Sequence, residues 1–452
     1  MKIAPGQLKI ILATLAGCVL LWLGINVYAA KRAESWLQEF VAASEKSQSY
    51  RLRSLHHQRG LLSSQGYVDV GLIDECGGKY RPEWMTTRLT YHLKHTVFPL
   101  ALMTIEWSVE PLGKERETFE KLFGGQAKLE GRGKVGLNGD VQSDMRLPEI
   151  HWSNNGTRVK VSPSVGSISV GKDTLKLDWH TGKISTQGNG SPVAIDDLRL
   201  AVDLASMSRG LGKATFMIDK FGTPDVTANG MRLVTQVLEK AGRMDIDIAP
   251  EIKSLAAGGK QFKNLVFDFG IHGLHGESAD YLFKLAQTSC NFKKLTQQER
   301  DKLQENLRTL VFEGFSLGIG RVKGAVDGGD LEGKWSVTLA KTPGEAFSLI
   351  PVLRSQGELS LAGKDIKQLQ KKTLIALGFA QEIPNGVRAS YDFADGVLKL
   401  NGKVSNAALI DAMLHTVEQQ IRDLLSGPQI PGKDDGPVEK GLEEASPQAL
   451  DT

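Results

Sequence analysis

His92 and His95 stand three residues apart, the closest approach in this sequence to a zinc-ligand spacing. On a strand that odd spacing sends the two rings to opposite faces, and no Cys or carboxylate is paired with them. The adjacent pair His56-His57 diverges in the same way. Asp245 and Asp247 share one strand face and could work as acid and base, as could Asp74-Glu75 beside Cys76. Acidic residues on a solvated strand face are the commoner explanation. Gly318–Gly324 (GIGRVKG) has loose phosphate-loop spacing but no following helix to cradle a phosphate, so it reads as a strand bend or bulge. Asn155-Gly156-Thr157 is a glycosylation sequon only in a eukaryotic secretory route. No G-x-S-x-G elbow occurs. No residue is therefore assigned as catalytic, cofactor-binding or metal-ligating, and no cofactor is expected.

The elements that would have to position these residues are mostly strands. From Gln126 to about Met217 apolar and polar residues alternate with period two, between Gly, Asn, Asp and Pro turns. Tyr50–Gly71 reads as a hairpin with Gly60 and Ser63-Ser64 at its turn. Further strands are expected at Thr87–His95, Thr104–Val109, Met244–Ile248, Gln261–His272, Phe315–Val326, Gly333–Leu339 and Gly357–Leu361. Ala394-Asp395-Gly396 marks the clearest hairpin, because Asp-Gly supplies the positive φ of a tight turn. Helical spacing is read at Glu34–Lys46, Glu115–Phe123, Asn229–Gly242, Glu277–Thr288, Thr296–Phe312, Asp365–Leu377 and Asn406–Leu425. Thr296 and Glu299 have capping-box spacing. The fold class is thus α+β and mostly β: a large antiparallel, twisted sheet covered in part by helices, following an N-terminal transmembrane helix.

That helix is Ile10–Ala30, an uncharged run flanked by Lys9 and by Lys31-Arg32. At 1.5 Å per residue it would reach roughly 30 Å, the thickness of a hydrocarbon core. About ten Leu, Ile and Val residues favour insertion by about 3 to 6 kcal/mol. Asn26 alone opposes it, and Tyr28 is placed for an aromatic belt. Leu15-Ala16-Gly17-Cys18 spells a lipobox, but the run stays apolar past Cys18. Ala29-Ala30 could end a cleaved signal, but the run exceeds the usual h-region of about 7–15 residues. An uncleaved signal anchor is the leading reading. Residues 1–9 would be a short cytoplasmic terminus, 10–30 the anchor, 31–426 an exported β-rich domain with inserted helices, and 427–452 a disordered tail rich in Pro, Gly, Asp and Glu.

The net charge is +3 on 55 basic and 52 acidic residues, which leaves no large basic field for nucleic acid. Of the three cysteines, Cys76 and Cys290 lie in the exported part. Either they remain separate buried thiols, or they pair and close a loop of about 215 residues, worth roughly 5 kcal/mol at most.

The apolar N-terminal run, QRGLLSS at Gln58–Ser64, HLKHTVFPL at His92–Leu100 and ADGVLKLNGK at Ala394–Lys403 together resemble the YdgA-like family, bacterial proteins built around a domain of unknown function. The resemblance implies an inner-membrane anchor and a periplasmic β-rich body. It transfers no catalytic residue. The family pattern has His-Gly-Pro before the Phe-Pro region, whereas here Thr96-Val97 follow His95.

Two functional classes result. The first is a non-enzymatic, membrane-anchored periplasmic protein of binding or scaffold type. Its partners would be the inner-membrane bilayer and either an envelope protein or a lipid or other apolar ligand. The second is an envelope hydrolase whose site is assembled from distant His and carboxylate residues. A His92 or His95 ring bonded to a carboxylate in a cleft would favour the hydrolase. An apolar sheet face left open by the helices would favour an apolar cargo.

Overall fold

The computed structural model describes residues 24–35, 37–39, 42, 50–72, 85–95, 101–112, 116–117, 120, 128–154, 156–188, 192–288, 295–326, 329–342, 347–363, 368–405 and 408–426. Among these, the strands form one antiparallel sheet that is largely a meander, each strand pairing with the next because short turns return the chain directly.

The first strands are β1 (Tyr50–Arg59), β2 (Ser63–Leu72), β3 (Met85–Lys94), β4 (Met103–Pro111), β5 (Leu129–Val135) and β6 (Val141–Leu147). A hairpin, β7 (Ile150–Asn154) and β8 (Thr157–Val161), is then inserted before β9 (Ser164–Val170), which pairs back onto β6. Both β8 and β9 line one edge of β10 (Leu175–Gln187). The long strands follow: β11 (Val193–Ser206), β12 (Leu211–Gly222), β13 (Val226–Lys240), β14 (Arg243–Ala257) and β15 (Lys260–His275). Then come β16 (Phe315–Val326), β17 (Gly329–Leu339), β18 (Leu353–Gly363), β19 (Gln381–Ile383), β20 (Gly386–Ala394), β21 (Val397–Leu400) and β22 (Lys403–Val404). Asp395 and Gly396, both at positive φ, make the β20–β21 turn expected from their types.

Residues 24–35 and 37–39 are helical (α1), so the last part of the apolar run continues straight into the amphipathic stretch after it. Further helices among the described residues are α2 (Gly276–Thr288), α3 (Gln297–Glu313), α4 (Gln368–Ala376) and α5 (Ala408–Ser426). The capping box of α3 forms as its sequence requires, with Thr296 and Glu299 each bonded to the other's backbone N–H. Ala29 and Ala33 of α1 join Val68, Tyr91, Leu93, Leu102, Met103 and Val135 in the first core. A second core puts Ala279 and Leu310, from α2 and α3, on Met244 and Leu274. In a third, Leu414, Ile421 and Leu425 of α5 pack on Leu339, Phe347, Leu349 and Val352.

Two expectations need correction. Asn229–Gly242 is not a helix but the body of β13 up to Lys240, followed by the turn Ala241-Gly242. Its apolar residues fit helical spacing, yet Met231, Leu233, Thr235 and Val237 also alternate, and β12 and β14 pair with it on both sides. Those neighbours, together with its Val and Thr residues, decide the conformation. Ser63 and Ser64 belong to β2, which leaves Gly60–Leu62 as the turn. Among the described residues no helix is long and apolar enough to cross a membrane, and residues 10–23 of the expected anchor lie outside them. Cys18, Asp74, Glu75, Cys76, Cys290 and the 427–452 tail also lie outside, as does most of the expected helix Glu115–Phe123, of which 116–117 and 120 are helical.

A recurrent device shapes the sheet. Gly131 faces Trp107 across two strands, and the indole lies where a side chain on Gly131 would be, since a Cβ there would stand 2.4 Å from Trp107 Cε2. Gly66 with Tyr91, Gly166 with Trp179 and Gly357 with Tyr391 repeat the arrangement. A glycine that weakens a strand on its own becomes the seat of an aromatic ring.

Candidate functional site

The structure brings the two motif segments Gln58–Ser64 and His92–Leu100 together at a buried hydrogen bond. His95 is fully buried, and its Nδ1 lies 3.2 Å from the carbonyl of Leu61. A carbonyl only accepts, so Nδ1 carries the proton, and Nε2 accepts from the Ser64 hydroxyl at 2.9 Å. The His95 backbone N–H also donates to the carbonyl of Leu62. Burial lowers the imidazole's pKa, which agrees with a neutral ring. This is a serine–histidine pair, but Ser64 is 1% exposed and His95 0%, so no substrate reaches it. It braces the β1–β2 turn.

His92 points to the other face, as the spacing predicts. Among the described residues neither His92 nor His95 has a carboxylate within ion-pair distance. The arrangement that would have favoured the hydrolase is therefore not formed by these rings. His57 bonds the Tyr91 hydroxyl through Nδ1 at 3.0 Å, and burial lowers its pKa despite the opposing charge of Glu34. Burial likewise pushes the Tyr91 phenol up to about 12. Asp245 and Asp247 share a face and flank His272, at 3.8 and 3.6 Å from its two nitrogens, all three side chains being close to half exposed. Gly318–Gly324 lies inside β16, with the register slipping between Ile319 and Val322, so the bulge reading holds. Among the described residues no group of His, Cys, Asp and Glu could hold a metal ion.

A groove of about 1120 Å³ lies over the polar face of β1–β9, lined by His56, Gln65, His92, Glu106, Arg132 and Arg146 among others. Glu106 stands 3.9 Å from both Lys94 and Arg132. Deeper on that face Asp69 takes a bidentate pair from Arg88 (2.7 and 2.8 Å) and a hydroxyl from Ser54, which hold its carboxyl below the usual range. This groove is a solvated, charge-compensated wall.

The opposite face differs, and no single stretch of sequence discloses it. Following the register across the sheet, His57 faces Gly66, then Tyr91, Trp107, Gly131, Met145, Gly166, Trp179, Leu200, Phe216, Leu233 and Pro250 in turn. One step along β14 the row resumes at Ile248 and continues through Phe269, Ile319, Trp335, Gly357, Tyr391 and Leu400. With strands about 4.8 Å apart, this stripe crosses about 80 Å of sheet. After the bonded His57–Tyr91 end it contains only aromatic, aliphatic, Pro, Met and Gly residues.

Among the described residues, helix α1 covers the start of the stripe, and α2, α3 and α5 pack at one end of the long strands. None of the three cores takes in Trp179, Leu200, Phe216, Leu233 or Pro250. Phe216 and Leu233 are each 37% exposed and neighbouring Phe267 is 40% exposed. In β10–β15 the buried residues are Thr181, Ile218, Ala228, Met244, Gly270 and Leu274, few for strands this long. At its far end the stripe opens into a cavity of about 340 Å³, where Ile319, Trp335, Gly357 and Tyr391 meet Leu359 and Phe379. The reverse face carries ion pairs such as Lys176–Asp203, Arg232–Glu251, Arg321–Asp268 and Lys334–Glu358. One side of the sheet is thus built for water. The other carries the apolar stripe, partly uncovered by the described residues, and an exposed apolar surface of this extent commonly marks a binding site.

The sequence profile of DUF945, described as a bacterial protein of unknown function, matches residues 7–421. No curated protein and no solved structure matches the chain.

Proposed function

The chain belongs to DUF945, a bacterial family of unknown function, and from that premise we propose that it is a binding protein for apolar chains, carried along the stripe from Trp179 to Tyr391. The ligand class is the acyl part of a lipid. Its support is the uncovered row Trp179–Leu200–Phe216–Leu233–Pro250 on a sheet whose other face is charged. An acyl chain has no polar atoms to satisfy, and it suits a stripe of aliphatic and aromatic side chains whose polar groups at Trp107, Trp179 and Tyr391 are already bonded within the protein. The stripe is far longer than one such chain, so it suits several ligands end to end, or one moving along it.

In the same reading the apolar run Ile10–Ala30 is an inner-membrane anchor and the sheet lies in the periplasm, as the likeness to the YdgA-like family implies. In this reading the protein works as a binder and not as an enzyme, and its Ser64–His95 pair, sealed from solvent, serves the fold.

The test is to purify the full-length chain in mild detergent and identify bound lipids by native mass spectrometry. It is combined with displacement of a fluorescent fatty acid from the wild type and from Phe216→Asp and Leu233→Asp. Bound lipid in the wild type, reduced several-fold in the variants, supports the reading. No bound lipid and no fluorescent fatty-acid binding by a folded wild type would overturn it.

A further inference from the structure

The β1–β2 turn presents Leu61 and Leu62 to solvent, 50% and 47% exposed. The carbonyls behind them are both held by one buried residue, His95. Gly60 closes the turn by donating its N–H to the Ser63 carbonyl at 2.9 Å. A buried histidine spent on bracing two outward-facing leucines is an unusual use of a polar side chain. It fixes the position of an apolar tip that a loose loop would fold away.

The location of that tip is set by α1. Fully or almost fully buried residues gather at the turn end of β2–β5: Ser64, His95, Leu102, Met103 and Val135. Their counterparts on α1 are Asn26, Ala29, Ala30 and Ala33, none more than 3% exposed. Glu34, next along the helix, pairs with Arg59 just before the turn at 2.9 Å. The helix stretch that ends the uncharged run therefore lies on the sheet at the turn, with no linker between run and body. Val27 and Tyr28 look outward from the same stretch, 42% and 55% exposed.

The packing has a consequence for length. Residues buried on a sheet are not in lipid, and Asn26 is the first buried residue of the run among those described, so the part of the run free to cross a bilayer ends at residue 25. As a helix, at 1.5 Å per residue, that part would reach about 24 Å, some 6 Å short of a hydrocarbon core of about 30 Å. A short span is accommodated by drawing the flanking surface into the interface. We propose that Leu61 and Leu62, with Val27 and Tyr28, are that surface: an apolar tip that dips into the bilayer interface and docks the sheet on the membrane. Two leucines and a tyrosine with its polar hydroxyl suit an interfacial depth. The proposal rests on the reading of the run as a membrane anchor and does not depend on the ligand of the stripe.

The experiment uses the full-length chain with Cys18, Cys76 and Cys290 replaced by Ser, in vesicles of phosphatidylethanolamine and phosphatidylglycerol. Spin labels are attached in turn at Leu61→Cys, Leu62→Cys, Leu20→Cys within the run, and Asp225→Cys, exposed on the β12–β13 turn at the opposite end of the strands. Accessibility to oxygen and to a water-soluble nickel chelate reports depth, and circular dichroism confirms folding. Shielding of positions 61 and 62 from nickel several-fold beyond position 225, together with shielding at 20, is the expected result. Shielding at 20 with 61 and 62 as open as 225 overturns the docking tip and leaves the anchor intact. Nickel access at 20 as well overturns the anchor reading and the tip with it.

Discussion

His95 and Ser64, thirty-one residues apart in sequence, share a 2.9 Å hydrogen bond sealed from solvent. The pair has the atoms of a nucleophile and its base, yet the second ring nitrogen is spent on a backbone carbonyl and the hydroxyl faces protein. Removing the hydroxyl leaves a buried ring nitrogen without a partner. Ser64→Ala should cost about 1–3 kcal/mol. Urea unfolding of the full-length chain measures it; a change within error would mean the bond contributes nothing.

The same ring sets a pH dependence. Burial lowers the pKa of His95, and of His57, below the unfolded value of 6.5. The unfolded chain therefore binds protons that the folded chain refuses. Stability is full above pH 6.5 and falls as the pH drops from 6.5 towards the lower folded values. Urea midpoints taken between pH 7.5 and 5 should decline, and His95→Gln should flatten part of the slope. A flat wild-type profile would exclude this contribution.

Asp69 titrates in the opposite sense. Its folded pKa is depressed by the Arg88 bonds, so its contribution is present above pH 3.8 and is lost below it as the carboxylate protonates. Asp69→Asn leaves the partly exposed Arg88 without its bidentate partner and should destabilise by about 1–3 kcal/mol at pH 7. The difference between variant and wild type should narrow in acid, as thermal unfolding at pH 7 and pH 3 would report.

Gly131→Ala tests the aromatic seats. The new Cβ would meet the Trp107 ring at 2.4 Å, and the ring must lift. A loss of about 1–3 kcal/mol is expected from overpacking. In the Trp107→Leu background the same substitution should cost much less, because the crowded partner is gone. Equal costs in the two backgrounds would show that the indole does not depend on the glycine.

On the stripe, Phe216→Asp and Leu233→Asp should leave the unfolding midpoint nearly unchanged while binding of a fluorescent fatty acid falls. Both side chains are more than a third exposed, so a carboxylate there remains hydrated. A variant that unfolds early instead would mark Phe216 or Leu233 as core.

Local patterns were enough for much of the architecture. Period-two alternation identified the strands from β5 to β12, Asp395-Gly396 marked its hairpin, and Thr296 with Glu299 marked the start of α3, because each depends on residues a few positions apart. The opposite directions of His92 and His95 were legible for the same reason. Asn229–Gly242 was misread because its apolar residues satisfy two periods at once, and only β12 and β14 on either side choose between them. The bond between Ser64 and His95 and the seating of Trp107 on Gly131 join residues on different strands, so strand register had to bring them together. The stripe is the extreme case. Trp179, Leu200, Phe216 and Leu233 are unremarkable apolar positions, each in its own strand, and they become one surface only when every register is in place. Sequence by itself determines which residues of a strand share a face, since that follows from backbone geometry. Which faces remain open is decided by where the helices land, and that is a property of the folded chain alone.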